Sequence, residues 1–230
     1  MAHVAAPLPS PRAGASGVGY LVAGIAVFSV QDVILKHLSG SYPLYEAMVF
    51  RSLTALPFLL LLVHLNGGLR TLSTPAMVKM ILRGGLLFCA YSAYYLALAS
   101  LPLATTVALF FTAPLFITLL SVAILREQVG ARRWIAVLAG FGGVLIMVRP
   151  GSDLFDWAAL LALGAGLAYA LSMVTARSLG TTETAAALAF SGNLVFLAIA
   201  LAITLLLAGG QFSDQVHPSL GFLTRGWVAP

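Results

Sequence analysis

Long apolar runs separated by short polar connections dominate the chain. Seven of them occupy residues 18–38, 43–65, 77–100, 103–125, 134–148, 154–178 and 184–208. Most of these runs are close to the ~20 residues that an α-helix needs to cross a bilayer. The pattern predicts an all-α integral membrane protein with seven full transmembrane helices, and an eighth apolar segment begins near Gly221.

The connections between these runs are short. Residues 39–42, 101–102 and 149–152 each join two apolar segments, so consecutive helices are expected to lie side by side and antiparallel. Residues 1–17 are rich in alanine, proline, glycine and serine, and they predict a disordered N-terminal tail. Glycines in and beside the apolar runs favour close helix packing, namely Gly84, Gly85, Gly130, Gly140, Gly142, Gly143, Gly164 and Gly166.

Basic residues indicate how the chain is oriented in the membrane. With a cytoplasmic N-terminus, the inner connections and their flanks hold eight of them: Arg12, Arg70, Lys79, Arg83, Arg126, Arg132, Arg133 and Arg177. The outer flanks hold only Lys36 and Arg149. Because cytoplasmic loops are enriched in Lys and Arg, the N-terminus is predicted to be cytoplasmic and the protein to lie in the cell (inner) membrane.

Composition excludes a soluble protein. Charged residues make up 8% of the chain and hydrophobic residues 60%, whereas soluble domains carry about 25% charged residues. The net charge of +5 comes from scattered basic residues that form no stripe, so nucleic acid is not an expected partner. A bilayer and a small molecule are the expected partners, with a homodimer as a further possibility.

The sequence also contains a weak internal repeat. A shift of 141 residues aligns Phe28 with Tyr169, Lys36 with Arg177 and Leu53 with Leu194. A repeat of five helices, an odd number, would place the second copy upside down in the membrane. The predicted units are a first repeat at 18–150 and an incomplete second repeat at 154–230, with about sixty residues expected beyond Pro230.

Residues 95–150 carry a more specific pattern. The segment contains T-A-P-L-F at 112–116, L-R-E at 125–127, G-A-R-R-W at 130–134 and a closing G-x-x-G-V-L-I-M-V-R-P-G at 140–151. This series resembles the EamA-type domain of the drug/metabolite transporter superfamily. The resemblance implies ten helices in two inverted five-helix halves around a central cavity, moving metabolites by alternating access.

Within that superfamily the pattern is most similar to members linked to S-adenosylmethionine-like or other zwitterionic metabolites. Small multidrug resistance relatives carry a membrane-embedded glutamate eight residues before the lysine of the first helix, whereas Phe28 stands there in this chain. The resemblance therefore does not carry over a proton–drug exchange centred on that carboxylate.

Three charges, Asp32, Glu46 and Arg51, are predicted to lie below the membrane surface, where ionisable side chains face a cavity or a partner. Asp32 and Lys36 are four residues apart and could pair on one helix face. Asp32 is also the expected partner of Arg51. The Asp32–Arg51 pair is expected near the outer rim, either holding the fold together or meeting a charged group of the substrate.

The third helix carries several phenols in its middle, and Tyr91 and Tyr95 lie on one helical face. Thr112, close to the helix-bending Pro114, and Tyr169 and Asn193 in the second repeat complete the candidate substrate-binding residues. Packing among the helices is the alternative role for each of them.

No sequence pattern for catalysis, metal or cofactor binding stands out, because the four histidines are dispersed and no nucleotide-binding loop occurs. A secondary transporter that is not an enzyme is the leading hypothesis. A membrane-embedded lipid-modifying enzyme and a non-transporting helical subunit or fragment are the alternatives.

Overall fold

Eight α-helices and one short 3-10 helix follow one another along the part of the chain that the structure describes. The computed structural model describes residues 11–39, 41–72, 75–148, 156–179, 183–207, 219 and 222–223. The helices are α1 (Pro11–Leu38), α2 (Leu44–Leu65), α3 (Met77–Ser100), α4 (Leu103–Phe110), α5 (Ala113–Leu125), α6 (Ala131–Val148), α7 (Ala158–Leu179) and α8 (Ala185–Leu207), with the 3-10 helix at Leu69–Leu72.

Six predicted transmembrane segments are confirmed as helices. Among the described residues, six helical stretches are long and apolar enough to cross a membrane: α2, α3, α4 together with α5, α6, α7 and α8. The first apolar segment lies in α1 but is not among these six, so its crossing of the membrane stays a prediction. Helix α1 begins at Pro11, inside the tail predicted at 1–17, and residues 1–10 lie outside the described residues.

The fourth apolar segment is one membrane-crossing stretch made of two helices joined by a two-residue turn. Helix α4 ends at Phe110 and α5 begins at Ala113. Pro114 lacks the amide hydrogen that would continue the helix, so the turn before it opens. The Thr112 hydroxyl donates to the carbonyl of Leu109 at 2.7 Å within this break. At the position where Pro114 predicted a kink, the regular helix is thus replaced by a turn at Phe111 and Thr112, whose backbone dihedral angles stay close to helical.

The helix boundaries repeat with the spacing that the sequence suggested. Helix α8 begins 141 residues after α2, and α7 ends 141 residues after α1. Helical residues reappear at Ser219 and Phe222, close to where the counterpart of α3 would begin. The structure thus reproduces the repeat in its helix boundaries, although sequence identity between the halves is low.

One hydrogen bond joins two equivalent positions of the repeat. The Asn193 side-chain amide on α8 donates to the backbone carbonyl of Ser52 on α2 at 3.1 Å, and these residues are 141 positions apart. Val63, near the end of α2, packs against Ala186 near the start of α8, so the two helices run antiparallel. Residues related by a two-fold axis touch each other only where the axis passes between them. The pseudo-two-fold axis therefore lies at this contact.

Helix α3 lies at the centre, packed against α7 and α8. A Cβ added at Gly84 would lie 2.7 Å from the Val195 Cβ on α8, so glycine is needed for this approach. Gly140 and Gly166 similarly allow close contact with Leu115 and Thr112. The packing role predicted for glycines is confirmed at these three positions. It is wrong for others, since a Cβ at Gly85, Gly130, Gly142, Gly143 or Gly164 would meet no atom within 4 Å.

Candidate functional site

A cavity of about 480 Å³ lies between α1 and the centre of the helix bundle. Its walls come from α1, α3, α4 and α7, and Asp32, Tyr91, Tyr94, Phe110 and Tyr169 contribute to the lining. Most of the lining is apolar and aromatic, and among the described residues Asp32 is the only charged one in it. Three predicted site residues, Asp32, Tyr91 and Tyr169, therefore share one cavity.

Arg51 on α2 lies against the aromatic side chains behind this cavity. The centre of its guanidinium is 4.4 Å from the centroid of the Tyr91 ring and 5.4 Å from that of Phe196. A guanidinium at these distances is attracted by the electron-rich ring faces. Its Nη1 also donates to the Tyr95 hydroxyl at 3.4 Å. The first repeat thus supplies the charge, and Phe196 of the second repeat covers it.

The two adjacent phenols of α3 bind two adjacent polar residues of α1. The Tyr94 hydroxyl donates to Oδ2 of Asp32 at 2.7 Å, and Nε2 of Gln31 donates to the Tyr95 hydroxyl at 2.7 Å. Tyr95 is fully buried, with 1% of its surface exposed. Asp32 and Arg51 therefore belong to two neighbouring hydrogen-bonded groups, Asp32–Tyr94 and Gln31–Tyr95–Arg51. The two groups form one cluster through the Tyr94 and Tyr95 rings, whose centroids are 5.7 Å apart.

The predicted salt bridges of Asp32 with Lys36 and with Arg51 are not formed, so both predictions are wrong. Within the described residues the one ion pair joins Arg177 to Glu127 at 3.5 Å, on the protein surface. Lys36, proposed as a partner of Asp32, instead donates to the carbonyls of Leu98, at 2.5 Å, and Leu101, at 2.9 Å, at the end of α3. Those carbonyls lack a partner within their own helix, and the fold brings them within reach of the ammonium, whereas Asp32 binds the Tyr94 hydroxyl.

Aromatic rings connect the two repeats through the site. Tyr94 packs edge-on against Phe110 with ring centroids 5.1 Å apart, and Phe110 lies 5.4 Å from Tyr169 on α7. On the other side Tyr91 lies 5.9 Å from Phe196 on α8. Ring systems in these orientations pack favourably with one another and with planar ligands. The aromatic wall therefore runs from α7 through α3 to α8.

Four candidate residues are absent from the cavity lining. Arg51 and Tyr95 pack against Tyr91, which borders the cavity, whereas the other two lie elsewhere. Thr112 is buried in the α4–α5 break, where its hydroxyl is bonded to its own helix and packs near Gly166. Asn193 bonds to Ser52 at the pseudo-two-fold axis. Packing accounts for both positions in this structure.

Four members of the cluster were not among the predicted site residues: Gln31, Tyr94, Phe110 and Phe196. Gln31 precedes Asp32 in an apolar helix, so a buried amide beside a buried carboxylate was a usable signal. The two phenylalanines gave none, since apolar rings occur throughout the chain and only the fold brings these two beside Tyr94 and Arg51.

Comparison with known proteins agrees with this arrangement. The model of the EamA-like transporter family matches residues 15–149, which form more than half of the chain. The chain belongs to this family. As an EamA protein with six helices able to cross a membrane, it is a multi-pass membrane protein.

Curated EamA relatives have several different names. The S-adenosylmethionine uptake transporter of Rickettsia bellii is 26% identical over 189 residues, covering 80% of this chain and 63% of the relative. The riboflavin transporter of Rhizobium johnstonii is 34% identical over 178 residues, covering 75% and 57%. The pseudopaline exporter CntI of Pseudomonas aeruginosa is 27% identical over 205 residues, covering 89% and 69%.

This EamA chain spans 63–64% of the length of the S-adenosylmethionine transporters that it matches. No solved structure matches it.

Proposed function

We propose that this EamA protein is a secondary transporter that moves a small zwitterionic metabolite across the cytoplasmic membrane by alternating access. An amino-acid-like or S-adenosylmethionine-like compound fits best. The observation that carries the proposal is the placement of Asp32 and Arg51, which present opposite charges in one cluster without pairing with each other. Ionisable side chains inside a membrane protein are costly and normally meet a partner or line a pathway.

The chemistry of the cluster suits such a ligand. A substrate ammonium would lie against the Asp32 carboxylate, which Tyr94 already orients. A substrate carboxylate would accept hydrogen bonds from the guanidinium of Arg51, whose planar fork matches a carboxylate. Tyr91 and Tyr169 would cover an apolar or planar part of the molecule. The site lies between the two repeats, where transporters of this architecture bind their substrates.

A flat, uncharged ring system is the second candidate. The cavity lining is mostly apolar and aromatic, and the relative with the higher identity is named a riboflavin transporter. The two candidates differ in whether ligand charge matters. A zwitterion needs Asp32, whereas a flavin-like ring would rely mainly on the aromatic wall.

Binding by the purified chain in lipid nanodiscs tests this proposal. Labelled S-adenosylmethionine should bind, and Asp32→Asn should weaken its binding at least ~10-fold, because a charged hydrogen bond contributes about 1.5–3 kcal/mol. Asparagine keeps the size of the side chain and can still accept from Tyr94. Riboflavin is the comparison ligand, and its affinity should not change in the variant.

The zwitterion proposal is wrong if riboflavin binds more tightly than S-adenosylmethionine to the wild-type chain. It is also wrong if Asp32→Asn leaves S-adenosylmethionine binding unchanged. Glu183→Gln is the matched control, since it removes a carboxylate two residues before α8, outside the cavity lining.

We also propose a cytoplasmic N-terminus, as the distribution of basic residues predicts. The connection that contains Gln128 is then cytoplasmic and the one that contains Ser41 is external, and both side chains are exposed. Single cysteines at these positions, in a Cys89→Ala background, should react with an impermeant thiol reagent from opposite sides of intact spheroplasts. Labelling of both from the same side would contradict this topology.

A further inference from the structure

Arg83 on α3 is a half-buried cation that the proposed site does not use. Its Nη1 donates to the backbone carbonyl of Leu188 on α8 at 2.9 Å. Its Nε is buried and has no hydrogen-bond partner in the described part of the chain. No carboxylate there pairs with it either, because the one ion pair is Arg177–Glu127. A guanidinium with an unsatisfied donor inside a membrane protein is costly to maintain for packing alone.

The position of Arg83 follows from the repeat. The counterpart of Arg51, 141 residues later, is Gly192, which has no side chain. Arg83 occupies that space, since a Cβ added at Gly192 would lie 3.2 Å from its Nη1. The pseudo-two-fold axis passes between Ser52 and Asn193, the residues next to Arg51 and Gly192. A guanidinium therefore lies near each of the two positions that the axis relates.

Tyr91 interacts with both of these cations. Arg83 and Tyr91 are eight residues apart on the same face of α3. Arg83 is close enough to Tyr91 and Tyr169 for electrostatic interaction with both phenols. Arg51 lies over the ring of the same Tyr91, at 4.4 Å. Two guanidinium groups thus lie beside the aromatic wall that borders the cavity. Arg51 is next to Tyr95, in the second half of α3, and Arg83 belongs to its first half.

We propose that Arg83 is a second anion-binding subsite, the pseudosymmetric counterpart of Arg51, and that it binds the carboxylate of the transported zwitterion on the opposite side of Tyr91. In this arrangement the substrate carboxylate can bind a guanidinium on either side of the aromatic wall, Arg51 on one side and Arg83 on the other. The Nε and the remaining Nη of Arg83 provide a forked pair of donors. The inference rests on the proposed function, because it assigns a second position to the same substrate group.

The test compares two ligands that differ only in the carboxylate. S-adenosylmethionine and decarboxylated S-adenosylmethionine are bound to the full chain in nanodiscs, with wild type, Arg83→Gln and Arg83→Lys. Arg83→Gln should weaken S-adenosylmethionine binding about 10-fold, equal to about 1.4 kcal/mol, and change the affinity for the decarboxylated compound less than about twofold. Arg83→Lys keeps the charge but loses the fork, so its loss should be intermediate.

Lys79→Gln is the matched control, because Lys79 is an exposed cation one turn earlier on α3. It should leave both affinities unchanged. An equal loss for both ligands in the Arg83 variants would show that Arg83 only holds α3 against α8, and no loss for either ligand would also overturn the proposal. If Arg83→Gln does not fold, the same comparison with Arg83→Lys decides.

The two proposals fail in different ways. If wild type does not bind S-adenosylmethionine, or binding does not depend on Asp32, the proposed function is wrong. If binding depends on Asp32 but is the same in the Arg83 variants and wild type, only the second subsite is wrong.

Discussion

Lys36→Met should lower the free energy of unfolding by about 3 kcal/mol, although it replaces a charged residue by an apolar one in an apolar helix. The Lys36 ammonium binds the carbonyls of Leu98, Ala99 and Leu101 at the end of α3. Each hydrogen bond to a charged group contributes roughly 1.5–3 kcal/mol, and the freed carbonyls would be left without donors. Thermal or denaturant unfolding in detergent micelles measures the loss.

His37→Met is the control for this prediction. His37 is the next residue on α1, and its side chain is exposed. Its replacement should change the unfolding free energy by less than about 0.5 kcal/mol, as surface substitutions usually do. Equal effects of the two substitutions would contradict the role of Lys36 in joining α1 to α3.

Tyr95→Phe and Tyr91→Phe should separate stability from binding. The Tyr95 hydroxyl accepts from Gln31 and from Arg51, and its loss leaves a buried amide and a guanidinium with one acceptor fewer. An orphaned buried donor costs about 1–3 kcal/mol, so Tyr95→Phe should destabilise the protein by roughly 2 kcal/mol and weaken ligand binding as well. Unfolding and S-adenosylmethionine binding are measured on the same preparations.

Tyr91→Phe should act on binding alone. Tyr91 lines the cavity, and in the described part of the chain its hydroxyl makes no hydrogen bond. Removing the hydroxyl should leave the unfolding free energy within about 0.5 kcal/mol of the wild-type value. It should weaken the binding of S-adenosylmethionine by about 1 kcal/mol. Unchanged affinity in Tyr91→Phe would mean that this phenol packs against Arg51 and does not contact the substrate.

Local patterns in the sequence were sufficient to predict the helices. The run that predicted a helix at 77–100 coincides with α3, because apolar length and end residues are local properties of the chain. The spacing of 141 was also visible, from landmarks such as Lys36 and Arg177. The turn after Phe110 was predicted only as a kink, since Pro114 alone does not show whether a helix bends or gives way to a turn.

Partners within the site were harder to predict. Asp32 and Lys36 have the spacing of an ion pair, yet each bonds to α3, because helix-end carbonyls and the Tyr94 hydroxyl are brought next to them by the fold. The sequence indicated only that Arg83 is a basic residue near the predicted cytoplasmic end of a helix. Its position beside Gly192 depends on how α3 packs against α8, which no local pattern encodes.

The bond between Asn193 and Ser52 has a consequence for motion. Points on a rotation axis keep their place when two halves related by that axis exchange their conformations. The amide and the carbonyl that meet there, 3.1 Å apart, would move least in any such exchange, whereas Arg51 and Arg83, on either side, would move in opposite senses. In the proposed alternating-access cycle, this hydrogen-bonded contact would let the two repeats rock against each other without separating.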